Sequence, residues 1–161
     1  MIKIEKKYVL KPLSMRSMVV HNVQSIREWL NYYLKFQDQE QGLVKIIDFD
    51  HSNSQMKMEK VRGINLADTE AVATLPREVR RDIGSQIITL YGRMQKWTVN
   101  THEIFFHKDF NTSNIMYNPK TKLIKLIDPD SFQILQPYKI NSVYHGAFID
   151  TLYAIKQWET L

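Results

Sequence analysis

Cysteine is absent from the 161 residues, which excludes a disulfide scaffold and any cysteine-ligated metal and leaves stability to packing. Glycine is scarce, five in all, and no Gly-x-Gly occurs; there is no glycine-rich loop to cradle a phosphate. No Gly-x-Ser-x-Gly elbow is present either, so a serine hydrolase of that kind is not expected. No apolar run approaches the roughly 20 residues that span a bilayer. Met1-Ile2-Lys3 leads into charge instead of a secretory hydrophobic segment. A soluble intracellular, cytoplasmic protein without membrane association is expected.

What is present suits one globular domain: 43% of residues are hydrophobic and 24% charged, neither a disordered nor a membrane composition. The net charge of +5 is unevenly spread, with 11 of the 22 basic but only 7 of the 17 acidic residues in positions 1–63. An excess of cations there favours an anionic partner such as a polyphosphate. The basic residues are not interleaved with aromatics in any recognisable nucleic-acid module, so a nucleic-acid partner is not expected.

The stretch Phe105 to Phe132 carries the chemistry. Two apolar runs, Ile104 to Phe106 and Leu123 to Ile127, each lead to a carboxylate, Asp109 two residues past His107 and then Asp128, with Asn114 between them. Oxygen-bearing side chains delivered from strand ends into loops are placed where site residues usually sit. Two carboxylates and an amide suit phosphoryl transfer: one carboxylate takes or orients the acceptor hydroxyl proton, and the other oxygens hold magnesium, a hard cation. The competing reading is an ordinary hairpin with Asn and Asp in Asx-turns.

Around this stretch the patterning predicts an α+β chain. Lys3 to Leu10 alternates as a strand, with Ile2, Ile4, Tyr8 and Leu10 on one side, and Lys11 follows it. Ile26, Trp29, Leu30, Tyr33 and Leu34 recur at helical spacing over Ser25 to Phe36. Leu43–Phe49 and Gln55–Val61 read as strands around a polar turn, and Arg62-Gly63 breaks the pattern. A short helix is expected within Leu66 to Thr74. A long one from Pro76 to near Asn100 carries the core stripe Val79, Ile83, Ile87, Leu90, Met94 and Trp97. Positions 129–146 read as irregular, and a final helix begins about Phe148 with Asp150 at its start, where a carboxylate suits the helix dipole.

The spacing His107-x-Asp109-x4-Asn114, then a turn, an apolar strand and Asp128, resembles the catalytic loop and metal-binding aspartate of the protein kinase-like superfamily, closest to its aminoglycoside phosphotransferase and atypical small-kinase branch. The resemblance implies a two-lobed fold, with residues 1–62 as a small antiparallel sheet with one helix and residues 63–161 as a mainly helical lobe holding the catalytic-loop hairpin. It implies ATP and Mg2+ as cofactors, Asp109 as catalytic base, Asn114 and Asp128 as magnesium ligands, and His107 as the structural histidine that opens the loop. Lys11 is similar to the strand lysine that grips the α- and β-phosphates, against the plainer reading of a surface lysine before Pro12. Glu28 stands where the family pairs that lysine with a helix glutamate. Ser25-x-x-Glu28 also satisfies the capping-box pattern. Asp150 is similar to the aspartate that hydrogen-bonds the catalytic-loop backbone. Glu59 to Gly63 fall at the family's hinge, whose backbone would bond adenine.

The chain departs from the family pattern in several places. Ten residues precede Lys11, too few for the usual glycine-rich hairpin, so a minimal form is expected in which either nucleotide affinity is weak or the cover comes from elsewhere, from a partner chain or by self-association. Asp128-Pro129-Asp130 replaces Asp-Phe-Gly; Asp130 either adds a metal-facing carboxylate or caps the turn at Ser131. Lys108 replaces the arginine that reads loop phosphate, and Asn111 stands where protein kinases place a lysine. The short segment after Asp128 leaves out the usual peptide-binding helices. Two functions follow: a minimal ATP- and Mg2+-dependent phosphotransferase acting on a hydroxyl acceptor, or a pseudokinase that binds a protein partner without turnover.

Overall fold

A computed structural model describes residues 2–4, 7–13, 23–136 and 142–160. The first sheet has four antiparallel strands, β1 (Lys3–Ile4), β2 (Tyr8–Pro12), β3 (Ile46–Asp50) and β4 (Gln55–Glu59), in the order β1-β2-β4-β3. The single strand expected over Lys3 to Leu10 is thus a hairpin, Lys3 facing Leu10 and Ile4 facing Val9. Val9 packs against the core and Leu13 is buried in it, so β2 turns Val9 and Lys11 inward, and not Tyr8 and Leu10. Lys11 pairs with Met56 in β4, and Met56 is fully buried. A one-residue change of phase exchanges the faces of a strand; here it delivers a lysine to the interior side of the sheet.

Helix α1 (Val23–Gln39) packs beneath this sheet, burying Trp29, Leu30, Tyr33 and Phe36. Ser25 lies within it, and its side chain is outside the described residues. Each large side chain fully buried in this way contributes about 1.5–3 kcal/mol. The Gln37 side chain pairs with β3 like a strand residue, accepting from Ile46 N at 2.8 Å and donating to Ile46 O at 3.1 Å.

The expected strand Leu43–Phe49 begins later than its apolar run, because Leu43 and Val44 belong elsewhere. They lie along β8 (Leu123–Leu126), with Leu126 N donating to Gly42 O at 2.7 Å and Val44 N to Leu126 O at 3.1 Å. β8 forms a hairpin with β7 (Ile115–Asn118), and β7 pairs on its other edge with β5 (Ile64–Asn65). Gly63 enters β5 with φ +130°, and a Cβ there would stand 2.0 Å from Tyr117 O. Only glycine fits that approach.

Helix α2 (Thr69–Ala73) is capped by Asp68, whose side chain accepts from Ala71 N at 3.0 Å. Helix α3 (Arg77–Met94) buries Ile83, Ile87, Leu90 and Met94 of the expected stripe and leaves Val79 partly buried. It ends at Met94, short of Asn100, and Trp97 is buried beyond it. Helix α4 (Ser142–Trp158) crosses α3 where Gly84 meets Ile155, and Phe148 stacks on Tyr91 with centroids 3.6 Å apart.

β6 (Ile104–His107) is wholly buried and pairs with β9 (Phe132–Leu135). Strand β9 falls where irregular structure was expected; its four residues are too few to show a period against the turn before them. An aromatic stack runs through these layers. Trp97 lies on Phe36 at 5.0 Å, Phe36 on Phe105 at 5.7 Å and Phe105 on Phe132 at 4.8 Å. It fixes α1 against β6 and β9, the two strands that border the candidate site. No helix of the described residues is long and apolar enough to cross a membrane.

Candidate active site

His107 ends β6 and has no exposed surface. Its Nδ1 accepts from Asp109 N at 3.2 Å, which leaves the proton on Nε2 to donate to Ile127 O at 3.3 Å. One imidazole therefore bridges the segment carrying Asp109 and the segment carrying Asp128. Burial pushes the ring down to about 4, against the upward pull of the Asp128 and Asp109 carboxylates, so it is neutral at physiological pH, as this two-sided bonding requires.

Beyond His107 the loop is built from Asx geometry. Asn111 Oδ1 accepts from Ser113 N at 3.0 Å and opens a 3₁₀ turn over Thr112–Asn114. Its Nδ2 donates to Asp109 Oδ1 at 2.6 Å, while Asn114 Nδ2 donates to Asp109 Oδ2 at 3.1 Å and to the Asp109 carbonyl at 2.8 Å. Two amides thus hold an exposed carboxylate in one orientation. Phe110 anchors the loop from below, fully buried and edge-on to Tyr91.

The second segment meets the first through Ile127 N, which donates to Asn114 O at 2.7 Å. Asp128 follows in the left-handed region, φ 69° and ψ 60°, a conformation Asp tolerates better than most residues. The proline after it also disfavours the right-handed region. Pro129 sets the first position of a second 3₁₀ turn, Pro129–Ser131, and Lys108 N donates to Ser131 O at 3.0 Å. The Ser131 hydroxyl donates to Asp128 Oδ2 at 2.6 Å.

Lys11 reaches this turn from the first sheet. Its ammonium donates to Asp128 Oδ1 and, at 2.7 Å, to Asp130 Oδ1. Burial alone would lower the lysine, but the two carboxylates outweigh it and leave it raised. For Asp128 burial acts upward, and hydrogen bonds with Asp130, Lys11 and Ser131 overcome it, holding the carboxyl well below the usual range. Asp130 is shifted up by burial and by its contact with Asp128, against the pull of Lys11.

Of the residues singled out from the sequence, His107, Asp109 and Asn114 gather in one loop, and Lys11 and Asp128 meet beside it. Glu28 does not join them. It is exposed on α1 next to Tyr32, and among the described residues no ion pair joins it to Lys11, whose partners are Asp128 and Asp130. Asp150 is likewise elsewhere, exposed and well inside α4, not at its start. The contact expected of it is made by its neighbour, since Thr151 Oγ1 donates to Phe110 O at 3.3 Å and to Ala147 O at 2.9 Å. Asn111 escaped the sequence reading as a site residue, although Asn-Thr-Ser is a recognisable Asx-turn signal.

Asn114 and Asp128 offer oxygens, the ligand type that a magnesium ion takes. With its Nδ2 committed to Asp109, Asn114 has Oδ1 left as an acceptor, and Asp128 lies one residue past the bond from Ile127 to Asn114. Among the described residues no group of three or more His, Cys, Asp or Glu is placed to hold a metal. A cation bound here would keep several waters, as Mg2+ usually does.

No protein-family model and no curated protein matches the sequence. Solved structures do match. Choline kinase LicA from Streptococcus pneumoniae aligns over 98% of this chain and 68% of its own, at 15% identity and a TM-score of 0.53. Monomeric WbdD aligns over 94% of this chain and 36% of its own, at 20% identity and a TM-score of 0.57. The Cydia pomonella granulovirus kinase PK-1 aligns over 81% and 45%, at 21% identity and a TM-score of 0.50. The chain spans about two thirds of the first and less than half of the other two.

Proposed function

We propose that this chain, an α+β protein with a protein kinase-like fold, is an ATP- and Mg2+-dependent phosphotransferase that passes the γ-phosphoryl group to a hydroxyl acceptor. The observation that carries the reading is the meeting of Lys11 with Asp128 across the chain, beside an aspartate, Asp109, whose two oxygens are each held by an amide.

Asp109 is the base in this reading. Asn111 and Asn114 hold its carboxylate toward solvent, where it can accept and orient the acceptor's hydroxyl proton. Asn114 Oδ1 and Asp128 would hold the magnesium ion, which when bound neutralises charge on the phosphate oxygens. Lys11 supplies its ammonium to the same phosphates. His107, locked neutral, keeps the two loops at fixed spacing, and such positioning supplies much of the rate in phosphoryl transfer. Residues 1–62 and 63–161 would act as two lobes, with the backbone of Glu59 to Gly63 offered to the adenine between them.

A thermal shift with MgATP tests the reading. Stabilisation of the wild-type chain that Asp128→Ala removes is the expected result; no shift at millimolar MgATP overturns it. Transfer of labelled phosphate should then be lost in Asp109→Asn while the thermal shift remains. The choline kinase likeness makes small amino alcohols the first acceptors to try. A nucleotide shift without transfer to any hydroxyl acceptor would mark the second reading, a pseudokinase acting as a protein-binding module.

A further inference from the structure

We propose that Asp130, and not the helix residue Glu28, is the positioning carboxylate that holds Lys11 in place. The inference rests on the phosphotransferase reading only for its consequence in catalysis; the contact itself stands without it.

Lys11 Nζ has two carboxylate partners, and they differ in setting. The Asp130 side chain is 4% exposed and that of Asp128 29%. Asp130 lies within the Pro129–Ser131 turn, where proline fixes one dihedral. That turn is bonded to the catalytic loop by Lys108 N on Ser131 O and closed on itself by Ser131 N on Asp128 O at 3.1 Å. A carboxylate so enclosed has no solvent to turn toward. Asp128 is the more open of the two, one residue from the strand end bonded to Asn114, and so is the one available to a cation.

The two aspartates therefore divide the work. Asp130 keeps the ammonium at the mouth of the site when Asp128 turns to a metal. Because an ammonium has three donors, holding one on Asp130 leaves two for phosphate oxygens. Two carboxylates beside one lysine also leave one net negative charge, which a divalent cation would reverse.

The test is the acetylation rate of each lysine at pH 8 with sulfosuccinimidyl acetate, read by mass spectrometry, with exposed Lys60 as internal reference. In the wild-type chain Lys11 should react slowly relative to Lys60. Asp130→Asn should speed Lys11 several-fold, with Lys60 unchanged, and Asp130→Glu should restore most of the protection. Glu28→Gln should leave Lys11 within twofold of wild type. An unchanged Lys11 in folded Asp130→Asn, or a comparable rise in Glu28→Gln, overturns the proposal. If Asp130→Asn unfolds and every lysine reacts fast, the surface variant Glu28→Gln decides alone, a slow Lys11 supporting the proposal and a fast one ending it. Where transfer is measurable, Asp130→Asn should raise KM for ATP more than it lowers kcat. A chain that shows the labelling pattern but no MgATP shift would sink the phosphotransferase reading and leave the Asp130 contact standing.

Discussion

Trp29 Nε1 donates to the carbonyl of Phe132 at 2.9 Å, joining residues 103 positions apart. Trp29 belongs to the helix under the sheet that carries Lys11, and Phe132 directly follows the Asp128-Pro129-Asp130-Ser131 turn. The bond thus fixes the distance across which Lys11 must reach. Trp29→Phe keeps most of the apolar bulk and removes the donor. It should cost about 1–3 kcal/mol, the range for leaving a buried partner unsatisfied. Urea denaturation measures it, and a loss below about 0.5 kcal/mol would show the bond to be incidental.

His107 makes stability depend on pH in a definite direction. Its folded value of about 4 lies below the ordinary 6.5, so as pH falls the unfolded chain takes up the proton first. The stabilisation is complete above about pH 6.5 and is lost progressively down to about pH 4, on the order of 3 kcal/mol in all. Asp128, held low, loses its contribution only below the ordinary carboxylate value of 3.8, so the two windows separate. Urea midpoints at pH 7.5 and 4.5 should differ accordingly, and His107→Gln should flatten the dependence; an equally steep slope in that variant would assign it to another group.

Gly63→Ala should destabilise the chain by at least about 2 kcal/mol. The backbone there has φ +130°, and the added Cβ would collide with Tyr117 O. The strand pair that follows, Ile64 with Tyr117 and Asn65 with Met116, should lose amide-exchange protection before the rest of the molecule. Full protection in the variant would contradict the placement of this glycine.

Thr151 and Asp150 are neighbours with opposite expectations. Thr151→Val keeps the shape and removes the hydroxyl bonded to Phe110 O and Ala147 O, so it should cost about 1 kcal/mol. Asp150→Asn, on an exposed face of α4, should stay within about 0.5 kcal/mol of wild type. Thermal melts of the pair check the assignment, and the reverse order would restore the loop contact to Asp150.

Much of the chain could be read from short-range pattern. The stripe Ile83, Ile87, Leu90, Met94 shows because a helix repeats its buried face every three or four residues over many turns. The hairpin from Ile115 to Leu126 shows because a turn signal separates two apolar runs. His107, Asp109, Asn114 and Asp128 were legible by type and spacing, since loop chemistry is local: Asx bonds reach only two or three residues along the chain.

What the order of residues determined alone was thus most of the element types, the hydrophobic core and the residue types of the candidate site. Tertiary structure decided which carboxylate meets Lys11. Glu28 and Asp130 are both acidic, at plausible places in the chain, and nothing in local spacing ranks them. The choice follows from the phase of β2, which points Lys11 inward, and from the stack of Phe36, Phe105 and Phe132, which holds the sheet's helix against the strand after the turn. An ion pair between residues 119 positions apart depends on how whole layers pack, and packing is set by the sum of many side-chain contacts, not by any short stretch of sequence.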